Sequence, residues 1–275
     1  MIIKYGNIIH ILSIVLAIST LVGLYFLLRN KSNKTKNIVI LSILFFNLFQ
    51  HVFKFIVWPQ YWGTGFGEIN TAYNMCAFLI IVSPFIYLTK VKVLKDFIFF
   101  IGTTAGIIAI SVPYWFIGQS IITFDYLRFY ICHLLLFVGS MLPVLLGMHR
   151  ISLKNVYKIG FIALISLLIV LFNGLIFSFI NNPNDHSAAL ASFYSKNPVW
   201  ALRPSDSFKG ATKAIELFSL KIFLGNEDKE YVPILWYIIP MYILITIPSL
   251  ITCLVFEWIY RKQDKKMEII NNNEE

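Results

Sequence analysis

Apolar residues fill seven long blocks of this 275-residue chain, at approximately residues 8–28, 38–57, 71–89, 97–117, 127–148, 157–180 and 233–259. A helix of roughly 20 apolar residues spans a hydrocarbon core of about 30 Å. The pattern therefore predicts an all-α, polytopic membrane protein, a bundle of seven transmembrane helices. In the first block the positive charges follow the apolar run instead of preceding it, and the run is long for a signal peptide, so it reads as a retained helix. Five prolines, Pro84, Pro113, Pro143, Pro240 and Pro248, interrupt the blocks. Membrane helices accept such breaks because neighbouring groups re-satisfy the freed carbonyls.

Polar positions between the blocks set a topology. Arg29, Lys31, Lys34 and Lys36 form one basic cluster, and Lys90, Lys92 and Lys95 a second. Arg150, Lys154 and Lys158 form a third, and Arg261, Lys262, Lys265 and Lys266 a fourth. Each closes or opens an apolar block, so with basic loops inside the N-terminus lies outside and the C-terminus in the cytoplasm. The external connections become 58–70, 118–126 and 181–232. Residues 1–260 read as a single membrane domain and 261–275 as a polar, disordered cytoplasmic tail. Within the long loop, "NNPNDHSAALASFYSKNPVWALRPSDSF" is rich in turn formers. The following "KGATKAIELFSLKIFLG" has helical spacing suited to a membrane surface.

Composition agrees. The chain is 58% hydrophobic and 13% charged, where soluble domains carry about 25% charged residues. The net charge of +9 is spent on the loop clusters. No basic stripe interleaved with aromatics suggests nucleic acid. Cys76, Cys132 and Cys253 all fall in apolar blocks, an odd set that reads as free thiols. No cofactor and no metal site is predicted, and the expected surroundings are membrane lipids at the cell membrane. Oligomeric state is not legible.

The few polar residues inside the blocks carry the chemistry. His51, Cys76, Asn74, His133 and Asn173 each lie three to seven residues from the outer end of a predicted span. By the helical rise they share one layer, roughly 5–10 Å below the outer surface. Asn47, Gln50, His51, Lys54 and Trp58 follow a single helical stripe, which in a membrane must face protein or water. Tyr126, Tyr130, His133, Phe137 and Ser140 line one face of the fifth span, and Tyr73 shares a face with Cys76. Asn74 and Cys76 stand about 160° apart around a helix, so both cannot point at one partner. A buried His or Asn also serves simply by bridging helices, and Lys54 by snorkelling. Intramembrane ionisable groups are nonetheless functional candidates.

Three stretches carry a family resemblance. "TAYNMCAFLIIVSPFIYL" is built around Cys76, "GTTAGIIAISVP" is a small-residue span, and "LRFYICHLLLFVGSMLPVLL" is built around His133. Together with "SFYSKNP" and "VPILWYII", they resemble the YwaF / transmembrane protein 164 family of integral membrane proteins. The resemblance implies an intramembrane lipid acyltransferase or lipid hydrolase. Cys76 is then the nucleophile and His133 the base, supported by His51, Gln50, Lys54, Asn74, Tyr73, Tyr130 and Asn173. The same layer also fits a small-molecule permease or binding protein, and the long loop fits a non-catalytic structural role.

Overall fold

The computed structural model describes residues 2–204, 209–225 and 230–274, apart from the side chains of 209–211, 214 and 266–274. Among these residues the regular structure is entirely helical. The long helices are α1 (Ile8–Leu28), α2 (Asn33–Val52), α7 (Phe124–Leu145), α8 (Val156–Asn181) and α11 (Leu235–Glu274). The shorter ones are α3 (Lys54–Val57), α4 (Met75–Leu88), α5 (Lys92–Phe97), α6 (Thr103–Ser111), α9 (His186–Lys196) and α10 (Lys209–Leu217). A π-turn over Ile98–Gly102 joins α5 and α6 into one run. Among the described residues six runs are long and apolar enough to cross a membrane.

The predicted third span is the exception. Its helix α4 has only 14 residues, about 21 Å of rise. It starts late because the Asn74 side chain accepts from Ala77 N at 2.8 Å and caps it. Asn74 thus lies outside the helix as its N-cap, and the choice between Asn74 and Cys76 for one helical face does not arise. Residues 58–74 fold over the neighbouring end of α2 as two single 3-10 turns, Pro59–Tyr61 and Glu68–Asn70, with irregular chain between them. At its other end α4 reaches the start of α2, where Tyr87 Oη donates to Asn37 Oδ1 at 2.6 Å.

Helix α7 is central. It packs on α6 and α2 and also touches α1 and α4. Gly106 of α6 permits close backbone contact, since a Cβ there would stand 2.7 Å from Phe137 N and 2.8 Å from His133 O. Small residues at membrane-helix interfaces work in this way. Leu79, Phe97, Leu136, Ile159 and Cys253 form one core, and Leu21, Ile40, Leu44 and Leu142 a second between α1, α2 and α7. A third core joins α8, α9 and α11 around Trp236.

The basic clusters gather at one end. Arg150 donates to Asp264 at 2.7 and 3.3 Å. Buried Asp96, 0% exposed, meets His149 Nε2 and Asn155 Nδ2, both at 2.6 Å. Beside His149 a crevice of about 20 Å³, lined by Tyr87, Lys95 and Ser140 among others, has room for little more than a water.

Two segments differ from the sequence expectation. The turn-rich stretch after Asn181 contains α9, because Asp185 caps its start by accepting from Ala188 N at 2.9 Å. Asn197 ends it in the left-handed region at φ 45°. The polar tail, expected as irregular chain, is helical as far as it is described: α11 continues through it to Glu274. No glycine or proline follows Pro248 in that helix, so nothing breaks the i to i+4 ladder. Helix α10 does form within the predicted amphipathic piece. Residues 205–208 and 226–229 of the long loop lie outside the described residues.

Candidate functional site

The site grows from the polar stripe of α2. Asn47, Gln50, His51 and Lys54 are each 1–2% exposed, so the stripe faces the bundle. The helix breaks at Phe53 and resumes for the single turn α3. Chain 58–74, a strap across this end, brings carbonyls that no helix satisfies. Irregular backbone is tolerated at membrane depth only where protein supplies its partners. The stripe supplies them: Lys54 Nζ donates to Ile69 O, and His51 Nε2 donates to Thr71 O at 3.1 Å. In return Asn70 Nδ2 donates to Val52 O at 2.9 Å.

Thr71 is the hub. Its hydroxyl donates to Glu68 O at 2.6 Å and accepts from Asn173 Nδ2 at 3.0 Å, which ties α8 to the strap. Lys196 Nζ pairs with Glu68 at 2.6 Å and adds α9. On the α7 side, Asn47 Nδ2 donates to Cys132 O and Gln50 Nε2 to Asn47 Oδ1, both at 3.0 Å.

Rings and cations fill the space under the strap. Tyr73 lies nearly parallel to His51, with ring centroids 6.2 Å apart. Lys54 Nζ lies 5.6 Å from the centre of the Tyr61 ring and 5.2 Å from that of Tyr73. The Arg128 guanidinium lies 5.3 Å from the Tyr61 ring centre. Asp125 accepts from Gln60 Nε2 at 3.2 Å and Tyr61 Oη at 3.4 Å. Burial pushes the Tyr61 hydroxyl above its ordinary range, with Arg128 pulling against it. Tyr61 therefore stays a protonated donor.

The two residues expected to react sit beside this layer. Cys76 is the second residue of α4, half-buried, and packs against the core that contains Cys132, Leu79 and Leu136. His133 Nδ1 donates to Phe129 O of its own helix at 2.7 Å. A carbonyl can only accept, so Nδ1 carries a proton, and in the neutral ring Nε2 keeps its lone pair. Among the described residues no hydrogen bond joins the Cys76 thiol to the His133 ring.

The remaining expected residues divide. His51, Lys54, Tyr73 and Asn173 meet around the strap, and Gln50 joins Asn47 behind it. Tyr130 is elsewhere, donating to Ser13 O of α1 at 2.8 Å. Among the described residues no group of three or more His, Cys, Asp or Glu is arranged to hold a metal ion. Thr71, Tyr61 and Arg128 are additions that the sequence reading passed over. For Arg128 the signal was present: a guanidinium inside an apolar block, one helical turn before Cys132.

Compared with known proteins, the chain matches one family model over residues 5–203. The chain belongs to the TMEM164 family. The match takes in α1 to α9, and so every strap contact, both reactive candidates and Arg128. It stops before α10 and α11, which complete this TMEM164-family member's third core. No curated protein and no solved structure matches the chain.

Proposed function

We propose that this multi-pass membrane protein is an intramembrane lipid acyltransferase or lipid hydrolase working at the outer leaflet of the cell membrane. In this reading α4 is a seventh crossing completed by the strap, which puts the N-terminus outside and the C-terminus in the cytoplasm. The basic loops gathered at the opposite end support that orientation. The strap end then lies near the depth of phospholipid ester carbonyls.

The chemistry assigned is thiol addition. His133 takes the proton of Cys76, the thiolate attacks the ester carbon, and the carbon–oxygen bond breaks. The leaving alcohol takes its proton from the imidazolium. The acyl group, now a thioester on Cys76, passes to an acceptor hydroxyl or to water with His133 again as base. The observation that carries this assignment is the hydrogen bond of His133 Nδ1 to Phe129 O, which in the neutral ring leaves Nε2 as the acceptor that a general base needs. Catalytic hydrogen bonds often tighten only around substrate. Cys76 stands three residues from Tyr73 and so next to the strap layer.

The test is lipid turnover by the purified chain in phospholipid vesicles. Cys76→Ala and His133→Ala should each lower it by on the order of 100-fold or more with thermal stability nearly unchanged. Turnover that survives both substitutions excludes the assignment. Saturable solute uptake that persists in Cys76→Ala would favour the permease reading instead.

A further inference from the structure

Two basic side chains, buried Lys54 and half-buried Arg128, lie under the strap without a contacting acid, and Asp125 acts on Arg128 only from beyond ion-pair distance. Lys54 is 1% exposed, and its ammonium, with three donors, meets one carbonyl and two ring faces. The Arg128 guanidinium lies 5.3 Å from the Tyr61 ring centre, and its Nε is buried with no partner. Trp58 Nε1, on the same strap, is a second buried donor without a partner. Asp125 is engaged by Gln60 and Tyr61, and Glu68 by Lys196. Neither Lys54 nor Arg128 forms an ion pair among the described residues.

Taking a charge out of water is costly unless it is paired, and buried donors without acceptors add to that cost. Both deficits have the same sign; Lys54 and Arg128 both face the Tyr61 ring, and Trp58 lies three residues before Tyr61 on the strap. We infer that Lys54, Arg128 and Trp58 form an anion site that takes a phosphate ester. A carboxylate presents two oxygens in one plane, which a guanidinium alone saturates. A phosphate group directs its oxygens tetrahedrally, so it can face a guanidinium fork, an ammonium and an indole N–H together. The ester is carried by a lipid headgroup or by a free phosphate compound. This site is independent of the thiol chemistry proposed above, because anion binding is measurable where no turnover occurs.

The experiment uses the full chain in a maltoside detergent that contains no phosphate. Native mass spectrometry compares retention of dioleoylphosphatidic acid and of dioleoylglycerol, which share their tails and differ in the phosphate. A parallel thermal scan compares inorganic phosphate with chloride at matched ionic strength. The phosphate-bearing lipid should be retained at least tenfold better than dioleoylglycerol. Lys54→Met and Arg128→Met should each erase most of that preference, while Arg29→Gln at the opposite end should leave it intact. A shift with inorganic phosphate as well assigns a site open to free phosphate, and lipid preference alone assigns a headgroup site. Equal retention of the two lipids together with no phosphate shift overturns the inference. That comparison needs only the unaltered chain, so it decides the matter even if a variant fails to fold.

Discussion

His51 and Thr71 are joined by a single hydrogen bond of 3.1 Å, from the imidazole Nε2 to a backbone carbonyl. Through it a helix end is fastened to a strap of irregular chain. Thr71 passes the connection on to Asn173 of α8 and Glu68 O by its hydroxyl. If Thr71 is the hub, Thr71→Val should destabilise the fold by about 1 kcal/mol, since it leaves the half-buried Asn173 amide without its partner. Thr71→Ser should recover most of the loss. Thermal unfolding in detergent measures both.

Glycine positions separate close approach from open space. At Gly106 an added Cβ would meet backbone atoms of α7 at 2.7 and 2.8 Å, which cannot swing aside as a side chain would. Gly106→Ala should cost about 1–3 kcal/mol by overpacking. Gly23→Ala meets nothing within 4 Å and should be neutral or slightly stabilising by helix propensity. Equal melting temperatures for the two variants would contradict the packing of α6 on α7.

Asp96 holds both His149 and Asn155 at 2.6 Å while itself 0% exposed. Asp96→Ala removes both bonds and leaves two polar side chains unpaired. The expected cost is about 3 kcal/mol, seen as a lower melting temperature. His149→Ala should cost less, because Asn155 still meets one carboxylate oxygen.

Topology is open to direct labelling. In a chain whose three cysteines are replaced, a single cysteine at position 5 should react with a membrane-impermeant maleimide on intact cells. One at position 263 should react only after permeabilisation. Labelling of both from the same side would leave α4 as a helix that does not cross.

The apolar blocks made the long helices legible in the sequence, α1 and α8 nearly to the residue, because an 18- to 20-residue apolar run in lipid has few alternatives. The stripe from Asn47 to Lys54 was legible too, since its spacing matches the helical period. The late start of α4 was not, because it depends on Asn74 acting as a cap and on strap carbonyls finding donors on α2. Pattern along one segment does not reveal a partner on another. For the same reason Tyr130 was grouped with His133 by spacing, although its hydroxyl reaches α1. Thr71 gave no local signal, being one polar residue at the edge of an apolar block. Helix α9 was hidden among turn formers, two of which, Asp185 and Asn197, are its caps.

The central claim, that Cys76 carries an acyl group during lipid turnover, is tested most directly by intact-protein mass spectrometry after brief exposure to phospholipid vesicles. The unaltered chain should show a mass increase of one fatty acyl group, located on Cys76 by peptide mapping and released by neutral hydroxylamine. The increase should be lost in Cys76→Ala. An unmodified Cys76 in a preparation that is turning over lipid would contradict it.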